Sequence, residues 1–173
     1  MKQGFVKVAS ATPRIRVADP VYNAQVICEQ AKEAAEHGAK IVVFPELCIT
    51  GYTCNDLFLQ ELLLEKAKEA LLTIAEETGQ LETLFLVGLP VDKDGRLYNV
   101  AAVLYRGRIL GMIPKKNIPM YAEFYEGRHF TPGEETVTEY RLGKQVIPFG
   151  SNLLFRCEEL PELILGCELC EDL

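Results

Sequence analysis

A chain of 173 residues, 49% of them apolar and 25% charged, can bury one domain core and is too apolar to stay disordered. Its net charge of −7, with no basic stripe, argues against a nucleic-acid partner. No apolar run reaches the roughly 20 residues that cross a bilayer, and the start MKQGFVKVAS lacks the basic-then-apolar pattern of a secretory leader, so no membrane association is expected.

Phe5, Val6 and Val8 predict a first strand over about Gly4 to Thr12, ended by Pro13. Asp19-Pro20 is a helix start, with Asp at the N-cap and Pro at the first helical position. The helix is expected to reach about His37, and Gly38 closes it. Ala24, Ile27, Cys28, Ala31 and Ala35 form its apolar stripe. Ile41 to Phe44 follows as a short β-branched run without alternation, the pattern of a strand buried on both faces, and Pro45 ends it. Strand, helix, strand at this spacing predicts a parallel βαβ unit. After a loop hinged at Gly51, Asn55 or Asp56 is expected to cap a second helix that runs to about Thr78. Its buried stripe would be Leu64, Ala67, Leu71, Ile74 and Ala75, with Glu61, Glu65, Lys68 and Glu69 facing water.

Leu84 to Leu89 predicts a third buried strand, and Asp94-Gly95 a hairpin turn into a strand over Leu97 to Tyr105. Arg106-Gly107 turns again into Arg108 to Ile113. The chain thus moves from βαβ to antiparallel meander. Pro114 to Pro132 is a long loop rich in aromatics and charges, of a kind that is usually functional or disordered; its three prolines and its aromatics argue for an ordered loop. A low-signal stretch then leads to strands near Val146 to Phe149, Leu153 to Cys157 and Leu163 to Cys170. A strand that halts at Glu171-Asp172-Leu173 reads as cut rather than finished.

Six cysteines, at 28, 48, 54, 157, 167 and 170, fit no stapled secreted scaffold; reduced thiols in a cytoplasmic protein are expected, most of them packing the core. Cys167 and Cys170 form a C-x-x-C, but no second pair completes a zinc site, and i, i+3 side chains of a strand point to opposite faces. Alternation places Leu163, Leu165, Cys167 and Leu169 on one face and Cys170 on the other. Cys170 is therefore the candidate nucleophile and Cys167 a packing thiol. A thiol needs a base or a positive neighbour to attack at neutral pH. His37 closes a surface helix; His129, in the aromatic loop, is one route. A glutamate base with a lysine is the other: Glu46 stands at a strand end after Pro45, and Lys115 and Lys116 follow Pro114 at another. Taken singly, each of these charges is more often solvated than catalytic.

Three ordered stretches resemble the nitrilase, or carbon–nitrogen hydrolase, superfamily: IVVFPELCITGY around Glu46, PKKNIPMYAEFYEGRHF around Lys115 and GCELCEDL around Cys170. Within it, FPEL-x-x-TGY-x-x-x-DLF and the EFYE of the long loop are similar to the N-terminal glutaminase domains of glutamine-dependent NAD synthetases. The resemblance implies an α/β fold, a nitrilase-like α-β-β-α sandwich truncated after the nucleophile strand. It implies Glu46 as general base, Lys115 rather than Lys116 as the lysine, and Cys170 as nucleophile. Glu126 would position the lysine and substrate, and Tyr121 would line the substrate pocket. The implied reaction is glutamine hydrolysis through a γ-glutamyl thioester, with Lys115 and a backbone N–H after the cysteine holding the oxyanion. Implied partners are glutamine, an ammonia-accepting synthetase domain absent from these residues, and further copies in a homo-oligomer. No cofactor or metal is implied for this domain; ATP and magnesium would belong to the synthetase domain. Competing readings are a stand-alone amidase on another small amide, and a non-catalytic folding unit with an idle thiol.

Overall fold

The computed structural model describes residues 4–173. Its strands are Val8–Ser10 (β1), Ile41–Val43 (β2), Leu84–Lys93 (β3), Arg96–Tyr105 (β4), Arg108–Pro114 (β5), Thr138–Leu142 (β6), Gln145–Phe149 (β7), Phe155–Arg156 (β8) and Ile164–Leu165 (β9). Two helices, Pro20–Glu36 (α1) and Glu61–Glu77 (α2), complete it. Seven strands form one mixed sheet in the order β1-β2-β3-β4-β5-β7-β6, and β8-β9 is a separate small ladder. The first three strands are parallel, as a βαβ start requires; β3-β4-β5 is an antiparallel meander. Both meander turns place consecutive residues at positive φ, Asp94-Gly95 (51° and 75°) and Arg106-Gly107 (47° and 76°). That is the backbone a two-residue hairpin needs to match strand twist.

The sheet's two faces are covered differently. On one, Val42, Phe85, Val87, Leu89, Val100, Ala102 and Leu104 pack with Ala24, Ile27 and Ala31 of α1 and Ala67, Leu71 and Ile74 of α2. A 17-residue helix is marginal alone in water. Each fully buried Leu or Ile contributes about 1.5–3 kcal/mol, so packing on the sheet decides whether these helices form. On the other face, Ala101, Val103 and Ile113 are covered by Leu153, Phe155, Cys167 and Leu169 from the C-terminal segment. The described residues thus supply one helix layer and one sheet of the expected sandwich class.

Several boundaries differ from the sequence expectation. Asn55–Leu59 is a 3₁₀ turn of its own, and α2 starts at Glu61 with Gln60 as a cap whose side chain makes no capping bond. Leu63, not Leu64, is the buried leucine of its first turn. Lys68 does not simply face water: it bridges Glu65 at 2.8 Å and Asp92 at 2.7 Å, tying α2 to β3. The low-signal stretch holds β6, an edge strand with only Tyr140 and Leu142 buried, which leaves too little apolar alternation to read. The last predicted strand pairs over Ile164 and Leu165 alone. Its alternation persists all the same, with Leu169 buried and Cys170 exposed. Phe5 and Val8 are largely exposed, so the first strand is shorter and less buried than its apolar content suggests.

One glycine fixes the position of the turn after β2. That turn crosses directly over Gly88 of β3, with the amide of Ile49 donating to the Gly88 carbonyl at 3.1 Å. A Cβ on Gly88 would lie 2.7 Å from the Pro45 carbonyl oxygen and 2.9 Å from the Glu46 carbonyl carbon. Both neighbours are backbone, so the turn itself would have to move. Gly88→Ala is therefore expected to cost about 1–3 kcal/mol. It should lower the thermal midpoint and displace Glu46; an unchanged melting curve would contradict the close crossing.

Candidate active site

Glu46 hangs from a turn held at both ends. Phe44 donates its amide to Leu86 at 2.9 Å, extending β2, and Gly51 donates to Leu47 at 2.7 Å. Asn23, fully buried in α1, donates to the Ile49 carbonyl at 2.9 Å and exchanges two 2.7 Å bonds with Arg16. Leu47, directly after Glu46, sits at φ 53°, a left-handed conformation that a non-glycine residue adopts only when its surroundings impose it.

Lys115 continues β5 past Pro114, its amide donating to the Asn99 carbonyl of β4 at 2.8 Å. The whole residue is buried. Its ammonium contacts Glu46 Oε1 at 2.8 Å and Glu126 Oε1 at 2.7 Å. Burial alone would lower the lysine's pKa; the two carboxylates outweigh it and the net direction is up. Lys116, one residue on, points to solvent and bridges Glu135. Only the first of the two adjacent lysines reaches the carboxylates.

Glu126 is buried in a short 3₁₀ turn, Glu126–Arg128, within the aromatic loop. Its Oε1 also accepts from the Tyr52 hydroxyl at 2.7 Å. Burial first, then the Glu126 carboxylate, hold the Tyr52 phenol well above its usual range; Glu46 and Cys170 add smaller contributions. Arg128 clamps the same turn to Asp56 at 2.7 and 2.8 Å, and His129 reaches Asp56 Oδ1 at 3.1 Å. These partners hold the Asp56 carboxyl far below its ordinary value. The His129 ring lies edge-on to Phe58 and Phe130. His129 is thus engaged with the Asp56 clamp.

Cys170 opens a 3₁₀ turn, Cys170–Asp172, at φ 52°. It is exposed, and lines with Pro45, Glu46 and Gly88 a cleft of about 150 Å³. Asp172 ties this turn to the lysine strand: its carboxylate accepts from the amides of Lys116 at 3.0 Å, Asn117 at 2.7 Å and Leu169 at 3.3 Å. The Asn117 side chain donates to the Glu171 carbonyl at 2.8 Å. Tyr121 donates its hydroxyl to the Glu171 carboxylate, so it stands beside the thiol turn with its ring half exposed. Cys167 also borders this cleft but packs half-buried against the Ala101–Val103 cluster, and burial pushes its thiol up to about 11.

The five residues singled out in the sequence therefore gather at one end of the sheet. Glu46, Lys115 and Glu126 touch, Cys170 shares the cleft with Glu46, and Tyr121 reaches the thiol turn. Three more escaped notice. Tyr52 stood inside a quoted motif with no role given. Asn99 is a fully buried amide in the apolar run of β4, and that anomaly was its only signal. Asp172 lay in the nucleophile context, where nothing in a single sequence reveals which amides it binds.

Two outcomes follow. Lys115→Met would leave two facing carboxylates unpaired and should cost about 3–5 kcal/mol, whereas Lys116→Met should stay within about 0.5 kcal/mol. The lysine's folded-state pKa is raised, so the gap between wild type and Lys115→Met should be full below about pH 10 and shrink as pH rises through that folded value, in denaturant melts. Alkylation with iodoacetamide at neutral pH should label Cys170 well before Cys28, Cys48 or Cys167, whose thiols burial pushes up to about 11, 12 and 11. Peptide mass mapping that found Cys167 labelled first would reverse the assignment.

Comparison with known proteins gives the family. Residues 7–173 match the carbon-nitrogen hydrolase family model. The chain is 39% identical over 172 residues to a glutamine-dependent NAD(+) synthetase of Mycobacterium tuberculosis, covering 99% of the chain and 25% of that protein. It is 38% identical over 171 residues to the Mycobacterium leprae protein of the same name, again covering 99% of the chain and 25% of the relative. The chain thus spans about a quarter of the length of these curated relatives. A glutamine-dependent NAD(+) synthetase from Cytophaga hutchinsonii superposes with a TM-score of 0.88 at 29% identity, over 96% of this chain and 28% of the other. An amidase from Nesterenkonia shares the fold, with a TM-score of 0.62 over 83% of this chain and 54% of its own, at 24% identity. By sequence and by fold, the chain belongs to the carbon–nitrogen hydrolase family.

Proposed function

We propose that this chain is the glutamine-hydrolysing domain of a glutamine-dependent NAD synthetase, working through Glu46, Lys115 and Cys170. The observation that carries the reading is a fully buried lysine, ion-paired with two carboxylates, one of which, Glu46, lines a cleft together with an exposed thiol. Burying a lysine between two acids is hard to justify as packing, since an apolar trio of similar volume is often as stable. It is well suited to a pre-organised positive charge for a developing oxyanion.

The reaction runs in two halves. Glu46 takes the Cys170 thiol proton as Sγ attacks the carboxamide carbon of glutamine. The carbonyl oxygen becomes an oxyanion, stabilised by the Lys115 ammonium and the backbone N–H after Cys170. Protonated Glu46 then gives its proton to the departing nitrogen, the C–N bond breaks, and ammonia leaves a γ-glutamyl thioester. In the second half Glu46 deprotonates a water that attacks the thioester carbon; the C–S bond breaks, glutamate forms and the thiol is restored. No cofactor enters either half. Glu126 and Tyr52 hold the lysine in place, and Tyr121 borders the substrate position beside Cys170. ATP and magnesium would serve the synthetase part, which consumes the ammonia.

The test uses the full-length protein. Cys170→Ala should abolish glutamine-dependent ammonia release and glutamine-driven NAD formation, while NAD formation from added ammonium persists. Retained glutamine turnover in the alanine variant would remove Cys170 from the chemistry. Loss of turnover on a different small amide, with none on glutamine in wild type, would assign the domain to a stand-alone amidase instead.

A further inference from the structure

Asn99 lies in β4 between Tyr98 and Val100, opposite Pro90 of β3, and is fully buried. Its backbone carbonyl receives the Lys115 amide. Its side-chain amide nitrogen donates to Glu46 Oε1 and, at 3.4 Å, to Glu126 Oε2. Its side-chain oxygen is buried and has no hydrogen-bond partner among the described residues. An orphaned buried carbonyl is unfavourable, and a leucine would fill such a site without it. The opposite amide orientation would be worse, since it would aim the oxygen at two carboxylates and strand both N–H groups. The two acids therefore lock the amide as a donor.

The distribution of donors over the two carboxylates gives this a consequence. Glu46 Oε1 receives both Lys115 and Asn99, whereas Oε2 receives no hydrogen bond from the described residues, and the Glu46 side chain is one-fifth exposed. Glu126 is held on both oxygens, Oε1 by Lys115 and Tyr52 and Oε2 by Asn99. Of two acids flanking one lysine, only Glu46 retains a free oxygen.

We propose that Asn99 is a positioning residue that divides the two carboxylates by role, pinning Glu46 through Oε1 so that Oε2 is the proton-accepting oxygen on the cleft. This rests on the reading of Glu46 as the general base. The charged and titratable groups facing Glu46 are Lys115 at the end of β5, Glu126 in the aromatic loop, Tyr52 after β2, and Cys167, Glu168 and Cys170 of the C-terminal segment, which line the same cleft. Without the Asn99 donor, Glu46 is free to turn about its remaining bond to Lys115, and its anion loses one stabilising partner. Proton transfer suffers and basicity rises, while substrate contacts stay in place.

The experiment compares Asn99→Leu, Asn99→Ser and the near-isosteric Asn99→Asp with wild type and Glu46→Gln in the full-length protein, by glutaminase kinetics across pH. Whichever Asn99 variants melt as folded proteins carry the test, and the isosteric aspartate is the one least able to disturb packing. Asn99→Leu and Asn99→Ser should lose on the order of 10²-fold in kcat with KM changed less than about threefold. Asn99→Asp adds a third carboxylate and should move the acid limb of kcat/KM to higher pH, an effect that loss of packing alone would not produce. If Glu46→Gln is inactive while the folded Asn99 variants keep wild-type kcat and an unmoved acid limb, Asn99 does not position the base. If Glu46→Gln keeps its activity, the base assignment fails first, whatever Asn99 does.

Discussion

The cleft end of this sheet is organised around one buried cation. Lys115 is sealed from solvent, and a lone ammonium there would surrender its proton or unfold its surroundings. Two carboxylates prevent this, and they arrive from separate directions: Glu46 from the turn after β2, Glu126 from the long loop after β5. The cation is therefore a three-way junction between parts of the chain up to 80 residues apart in sequence (126 − 46). Removing the lysine would leave two carboxylates facing each other without a cation, so both arms depend on it. Much of the remaining architecture braces those arms.

The bracing is visible on each side. Gly88 admits the close crossing that carries Glu46, and Asn23 of α1 holds the same turn from the helix layer. The Asp56–Arg128 clamp joins the turn that carries Glu126 to the segment just after Tyr52. Two sequence stretches that looked like independent signatures, the DLF after the first glutamate and the EFYE of the long loop, thus meet in space. The link is mechanical: Asp56 of the first holds Arg128, two residues past the second, in the turn that Glu126 opens.

How much of this could be read in advance follows the range of the interaction. Pro45 after a β-branched run, Asp19-Pro20 and Asp94-Gly95 act within a few residues, and the structure has an end, a cap and a turn where each was expected. The start of α2 was misread because Asn55 and Asp56 look like caps, yet Asp56 is committed to Arg128 and the first turn winds as a separate 3₁₀ segment. β6 was missed because an edge strand needs little apolar surface. At the site, residue type and motif order singled out Glu46, Lys115 and Cys170. Asn99 stayed hidden because its partners lie 53 and 27 residues away, and only its oddity within an apolar strand marked it. The choice between Lys115 and Lys116 came from resemblance; the sheet supplies the physical reason, since consecutive residues leave a strand on opposite sides.

The Asp172 carboxylate gathers the amides of Lys116 and Asn117, which adjoin the buried lysine, with that of Leu169, which adjoins the thiol. Cys170 is thereby moored to the rim of the neighbouring strand more firmly than to the short ladder that precedes it. Amine and sulfur are thus referred to one strand edge through a single carboxylate.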